Sequence, residues 1–486
     1  MSPGDLLVSS LTPAQTLQES AIRLDPMPLG PTDPRYVPLD LGRDTGELRE
    51  LETILRNAAR TPNAFAKCAF IGARGSGKST YLLHLEAELQ QERLFTPVHI
   101  YLDPSLESDC DYADLFLWIA DQIARQFQAA GHPLSDALLS RFAEWYAEKS
   151  FSDSSEWKKE IGLTTEAEAG SKTGLPGIFS LKLLARLKSM IVGSETSRRE
   201  IRKRVQNYAT ELRGLMDDLL DHAREVLRDA GEPTRLLIVQ DNLDRISPSE
   251  KARHLFEFGG DMLVNIRADI VFTAPVAMKL ASFDVGRVFP HVVTMPNVKV
   301  RLRDGSIHQP GIDSLTRLIE RRLSSLVFED ASVARFLAEK SGGSVRDLIR
   351  LLDSAQLKAQ VAGKERVDQA SAEEAVRKLG LHRARLLIPE SVYHPILVQI
   401  ARTKAPFALA GDATASPETV KAAREFFAEL IGNGTVLEYN GNDSWYDVHP
   451  ALLGVDSFQH ALATDSAPKK AAKPAARRPR SGKSRK

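Results

Sequence analysis

The run Gly72-Ala-Arg-Gly-Ser-Gly-Lys-Ser79 satisfies G-x-x-x-x-G-K-[ST] at every fixed position, and no other stretch restricts the fold so tightly. Such a loop works only between a buried strand and a helix. Its glycines let the backbone N–H groups converge on an anion, and the N-terminus of the next helix adds to them. Both flanks are predicted. Phe65 to Ile71 is a short apolar run, and Thr80 to Gln91 carries Leu82, Leu83, Leu85 and Leu89 as an amphipathic helix. Gly72, Ala73, Arg74, Gly75, Ser76, Gly77, Lys78, Ser79 and Thr80 are therefore the candidate nucleotide-binding residues. Lys78 is expected to meet the β- and γ-phosphates of ATP, and Ser79 to place its hydroxyl on Mg²⁺. The plainer alternative is a glycine turn that only joins a strand to a helix.

At 486 residues the chain needs more than one core. Residues 1–45 form a Pro-rich extension, with Pro26, Pro28, Pro31, Pro34 and Pro38 too dense for a helix and suited to an extended strap. Residues 46–150 read as the first part of an α/β core, with further strand and helix at Val98 to Leu102 and Leu115 to Phe127. Residues 151–233 read as a helical insertion: a polar stretch, then helical patterns at Phe179 to Val192 and Glu195 to Ala230. The core resumes over 234–310 with strands at Leu236 to Gln240, Asp269 to Ala274 and Val292 to Thr294. This alternation predicts a parallel sheet with helices on both faces. Residues 311–387 read as a helical lid. Residues 388–463 give two helices and two short strands about Gly441-Asn442, a winged-helix outline, and 464–486 are expected to be a disordered basic tail.

A phosphate loop needs an acid at the end of a second strand to hold the metal, and Asp241 after Leu236-Leu-Ile-Val-Gln240 supplies it beside Ser79. The stretch Asp241-Asn-Leu-Asp244-Arg245 resembles the D-x-L-D-R form of KAP and STAND ATPases, which implies that Asp244 polarises the attacking water. Capping of the next helix is the alternative for Asp244. Asn242 stands where many ATPases of the AAA+ class have a catalytic Glu. Three more features resemble the AAA+ class and its origin-recognition and STAND relatives. Thr273, at the end of its strand, implies a polar sensor near the γ-phosphate. Arg287, just before a strand, implies an arginine finger, against the alternative of a surface salt bridge. Ser341-Gly-Gly-Ser-Val-Arg346 resembles the lid motif that returns an arginine to the phosphates, against the alternative of a simple helix start. The resemblance covers most of residues 45 to 455 as an architecture. Unlike KAP proteins, which can carry membrane helices between the two nucleotide motifs, this chain has charged amphipathic helices between Lys78 and Asp241.

Charge narrows the choice of partner. Nine Lys or Arg and no acid lie between Lys469 and Lys486, leaving 55 basic against 64 acidic residues in the rest of the chain. The second helix of the winged-helix outline holds Lys421 and Arg424 but also Glu418, Glu425 and Glu429, and the wing holds Glu438, Asp443 and Asp447. Phosphate binding depends on Lys and Arg, so packing or protein binding is preferred there over DNA. The basic tail is either a weak nucleic-acid binder without sequence preference or a solubilising tail. The helix Phe179 to Val192, with Lys182, Arg186 and Lys188, suits a bundle, or less readily an acidic membrane surface. Two cysteines, no secretory pattern in residues 1–10 and no run of 18 apolar residues lead to the expectation of a cytoplasmic protein without membrane attachment. No Cys or His cluster has metal-ligand spacing.

The sequence thus predicts a P-loop ATPase acting as a nucleotide-driven conformational switch, with itself or a protein as partner, in defence signalling or DNA-linked remodelling. An ATP-gated DNA-binding initiator or loader is one alternative. A scaffold that binds ATP with little hydrolysis is another.

Overall fold

The computed structural model describes residues 12–150, 178–247, 249–280, 285–388, 390–406, 416–440 and 443–465. The polar stretch 152–177, the wing turn at Gly441-Asn442 and the basic tail beyond residue 465 lie outside the described residues.

Five parallel strands form the central sheet: β1 (Lys67–Gly72), β2 (Thr96–Tyr101), β3 (Leu236–Asp241), β4 (Asp269–Ala274) and β5 (His291–Met295). Their order is β2-β3-β4-β1-β5. Every residue of β3 and β4 is buried, as a parallel sheet covered on both faces requires. Alternate residues feed different layers. Cys68, Phe70, Val239 and Val271 pack with Leu48, Leu51 and Leu55 of helix Glu47–Arg60 and with Leu82, Leu85 and Leu89 of helix Lys78–Gln91. Ala69, Ile71, Ile238 and Ile270 face the other way, toward Phe116, Ile119 and Ile123 of helix Tyr112–Ala129.

The helices Asp136–Ser150, Ile178–Gly193, Glu195–Gln206 and Ala209–Asp229 continue that second layer. Leu183, Leu184, Leu187 and Ile191 are buried in it, and Lys188 is paired with Asp121 at 2.7 Å. This gives the apolar side of helix Ile178–Gly193 a protein partner rather than a membrane. The single helical pattern expected from Glu195 to Ala230 is broken at Asn207–Tyr208. The first piece turns Arg198 and Arg202 inward, and the second turns Leu212, Met216 and Leu219 inward. The break lets the two buried faces take different directions.

Helices Gln309–Glu320, Ala331–Lys340, Val345–Val361 and Gln369–Ala384 enclose a separate apolar cluster. Leu17, Leu24 and Leu39 of the N-terminal strap are part of it. Beyond it, helices Glu390–Thr403 and Pro417–Gly432 lead to an antiparallel pair, β6 (Val436–Tyr439) and β7 (Trp445–Val448). That pair is tied back to the rest: Lys279 Nζ lies 2.9 Å from Glu438 Oε1, and the Tyr439 hydroxyl donates to the Gly342 carbonyl at 2.8 Å.

Among the described residues no helix is long and apolar enough to cross a membrane.

Candidate nucleotide site

Register brings the chemistry to one edge of the sheet. Gly72 ends β1 opposite Met295, Phe70 lies beside Thr273 of β4, and Gln240 of β3 pairs with Phe272. The loop after β1 and the turn after β3 therefore emerge on the same side, about 10 Å apart with β4 between them. Gly75 and Gly77 take φ of +92° and +99°, the left-handed backbone such a loop needs. A side chain at Gly75 would also meet Arg346 Cβ at 2.6 Å.

Lys78 Nζ is 5% exposed by residue and is held by three oxygens. It donates to the carbonyls of Gly72 at 2.8 Å and Ala73 at 3.1 Å, and pairs with Asp244 Oδ2 at 2.8 Å. Asp241 is fully buried: its Oδ1 accepts the Asn242 N–H at 2.7 Å, while Oδ2 has no hydrogen-bond partner among the described residues. Asn242 has φ +68°, a left-handed conformation that Asn tolerates and that would strain a Glu. This gives a backbone reason for the residue in that place. Thr273 is fully buried, and its hydroxyl accepts the Leu243 N–H at 3.0 Å and donates to the Gln240 carbonyl at 3.4 Å. It braces the Asp241–Asp244 turn.

Arg346 starts the helix Val345–Val361, capped by Ser344, whose side chain accepts the Asp347 N–H. Its own N–H donates to the Gly75 carbonyl at 3.2 Å, so this helix and the Gly72–Ser79 loop touch. Gly343, at φ +83°, is needed beside it because a side chain would collide with the Val298 carbonyl. Burial, with Arg350 and Arg245 nearby, lowers the pKa of Arg346. Arg287 is elsewhere. It is exposed in a short turn before His291, and His291 pairs with Cys68, four residues below Gly72. That is roughly 13 Å down the sheet, so Arg287 stands away from the loop of its own chain.

Over the loop lies a cavity of about 320 Å³. Its lining holds eight cations, Arg35, Arg43, Arg74, Lys78, Arg245, Arg322, Arg346 and Arg350, against two carboxylates, Asp40 and Asp244. Such an excess suits a polyanion. Pro28, Leu29, Tyr36, Leu318 and Ile349 supply apolar lining between them. The strap thus forms a wall of the site: the Leu29 N–H donates to Thr80 Oγ1 at 3.2 Å, and Tyr36 stacks on His84 with centroids 3.4 Å apart.

Arg43 was not legible as a site residue. It is 3% exposed, with Nη2 donating to the Ser76 carbonyl at 2.6 Å and Nε to the Pro296 carbonyl at 3.1 Å. Burial brings its pKa down to about 10. Arg322, 2% exposed, is likewise lowered to about 10 by burial, and its Nε has no hydrogen-bond partner among the described residues. Neither forms an ion pair with a carboxylate among the described residues. Nothing in the local sequence marks either one, because Ser76 and Pro296 reach Arg43, and Arg35 reaches Arg322, from distant segments.

No known protein-family profile matches the chain. A search of curated proteins also finds no match. Solved structures give loose similarities. One is the Aeropyrum pernix ORC2 protein in its ADPNP–ADP complexes, at TM-score 0.42 and 14% identity, covering 88% of this chain and 95% of that one. Another is Drosophila ORC bound to DNA, at TM-score 0.39 and 12% identity, covering 93% and 92%. A third is a Thermotoga maritima RuvB variant, at TM-score 0.34 and 14% identity, covering 87% and 97%. At such values the chemistry of the cavity rests on its own residues.

Proposed function

We propose that the chain binds Mg-ATP in this cavity and hydrolyses it as a nucleotide-driven conformational switch of the AAA+/STAND kind, acting with copies of itself or with a protein partner. The observation that carries this reading is the cationic cavity built jointly by phosphate loop, strap and lid, with Arg346 hydrogen-bonded to Gly75. A ligand in contact with all three would stabilise their closed arrangement, which is what a switch requires.

Lys78 suggests the order of events. Its ammonium already has three acceptors, so a phosphate must replace one of them, and the Asp244 carboxylate is the one repelled by the incoming anion. Displaced, Asp244 is free to accept a proton from the attacking water. Magnesium fits the remaining donors. Asp241 Oδ2 is buried without a hydrogen-bond partner among the described residues, and Ser79 stands in the first helical turn with a hydroxyl oxygen, the hard ligands Mg²⁺ prefers. The ion would neutralise charge developing on the phosphates. Arg346 would add to this from the lid, and Arg287 is offered to a neighbouring subunit. Thr273 would act by holding the turn that carries Asp241 and Asp244.

The position of helix Pro417–Gly432 supports packing over DNA reading for the C-terminal segment. Glu425, Phe426 and Glu429 line a groove shared with Arg74, Asp244 and Pro275 of the core. On this reading the winged-helix-like unit packs beside the proposed nucleotide site rather than offering a free basic surface.

The test is hydrolysis against binding. Lys78→Ala should lose both, while Asp244→Ala should bind ATP at least as well as wild type and turn it over about a hundredfold more slowly. Mixing Lys78→Ala with Arg287→Ala should recover some activity at shared interfaces. An Asp244→Ala protein with wild-type turnover would remove Asp244 from the mechanism. A wild type that binds ATP without turnover would leave the scaffold reading.

A further inference from the structure

Two titratable side chains beside Asp241, His99 and Glu86, are not used by the mechanism above. His99 lies on β2, next to β3, where Tyr101 pairs with Asp241. Its Nδ1 is 2.6 Å from Glu86 Oε1, and its Nε2 is 3.8 Å from Asp241 Oδ2. Glu86 belongs to the helix that begins with Lys78 and is 7% exposed; it lies two turns beyond Ser79, on the same helix face. The ring therefore bridges the phosphate-loop helix and the strand that ends in Asp241.

Two buried polar atoms face each other here without hydrogen-bond partners among the described residues: His99 Nε2 and Asp241 Oδ2. Buried polar groups are nearly always satisfied, so a facing pair of this kind calls for a cause. Packing alone would be served as well by an apolar ring. Carboxylates that serve a metal are usually oriented by an outer hydrogen-bonding group, which is itself held by a further partner. Glu86 holds His99 with Nε2 toward Asp241 Oδ2, 3.8 Å away, one short approach from that arrangement.

We propose that His99, anchored by Glu86, is a positioning residue that aligns the free oxygen of Asp241 toward the magnesium of a bound nucleotide. This rests on the cavity being a Mg-nucleotide site. His99 touches neither nucleotide nor metal; it limits the rotation of Asp241, whose other oxygen is already fixed by the Asn242 N–H. Losing it should weaken the metal-dependent part of binding and spare the part made by the loop.

The experiment measures ATP binding to the full chain by calorimetry, once in EDTA and once across a magnesium titration. His99→Phe should bind ATP in EDTA within about twofold of wild type, but need about tenfold more magnesium for half-saturation, the usual scale for loss of an outer group. His99→Gln, which restores a donor, should recover part of that shift. If His99→Phe does not fold, Glu86→Gln reads the same relay and should shift the magnesium midpoint by several-fold. A magnesium titration unchanged by these substitutions would overturn the proposal. So would an equal loss of binding in EDTA, which is the mark of a merely structural residue. A wild type that binds no ATP in either buffer is a distinct outcome, and it overturns the nucleotide reading on which the proposal stands.

Discussion

Two sets of buried arginines separate the helical body of this chain from its cavity. In the body, Arg202 is 7% exposed and packs between carboxylates: Nη1 lies 2.9 Å from Asp109 Oδ2, and Nη2 bonds Asp114. Burial alone would lower its pKa, yet these acids outweigh it and hold the guanidinium firmly charged. In the cavity, Arg43 and Arg322 are buried at least as deeply with only carbonyl oxygens as partners among the described residues, and burial wins. A buried cation without a counter-charge is costly. The paired set has the character of framework. The unpaired set has the character of a site that gains its counter-charge from a ligand.

The largest effect expected from this contrast is in the body. Arg202→Met leaves Asp114 buried without its cation, while Asp109 keeps Arg198 and Lys251 nearby, and should cost about 3–5 kcal/mol in urea unfolding. A loss below about 1 kcal/mol would break the comparison at its paired end. Next is Asp347, held by Arg383 Nη2 at 2.5 Å and His449 Nε2 at 3.5 Å. Against its own burial, these partners keep the carboxyl well below the usual range. Its stabilisation is therefore present above about pH 4, the unfolded carboxylate range, and is lost as pH falls further through the folded value. Asp347→Asn should cost on the order of 2 kcal/mol at pH 7, with the difference from wild type shrinking as pH falls below 4 in denaturant titrations.

Arg43→Met should behave in the opposite sense. Its unfolding free energy should stay within about 1 kcal/mol of wild type or rise, because an uncompensated buried charge is removed. ATP affinity should fall about tenfold or more by calorimetry. A variant that unfolds easily and still binds ATP normally would make Arg43 framework. The smallest effect is expected for Arg335→Ala, whose partner Asp313 is half-exposed like Arg335 itself. It should move stability by less than about 0.5 kcal/mol.

The same contrast explains what was legible in the sequence. The phosphate loop, the strands around it and the strand ending in Asp241 declare themselves through local pattern: fixed glycines, apolar runs and helical spacing. The Ser341–Arg346 loop does so as well, because Gly342 and Gly343 at positive φ are needed where they stand. Arg43 could not be found this way, since its partners, Ser76 and Pro296, lie 33 and 253 residues away. His99 reads as one polar residue in a strand until folding brings Glu86 and Asp241 to its two nitrogens. The prolines mark the stretch between helices Leu17–Arg23 and Asp40–Arg43 as non-helical, but those flanking helices correct the expectation of an extended strap. Its place as a cavity wall depends on contacts such as Leu29 with Thr80. The break at Asn207–Tyr208 is hidden because both pieces keep helical spacing, and only the burial of Arg198 and Arg202 separates their faces.

The most direct test of the central claim is a thermal or denaturant unfolding comparison of wild type and Lys78→Ala, each with and without Mg-ATP. At ligand concentrations of 100 times the dissociation constant, wild type should gain about 2.7 kcal/mol by mass action. Lys78→Ala should gain little at the same concentration. Equal gains in the two proteins, or none in wild type at millimolar Mg-ATP, would contradict the assignment of this cavity to nucleotide.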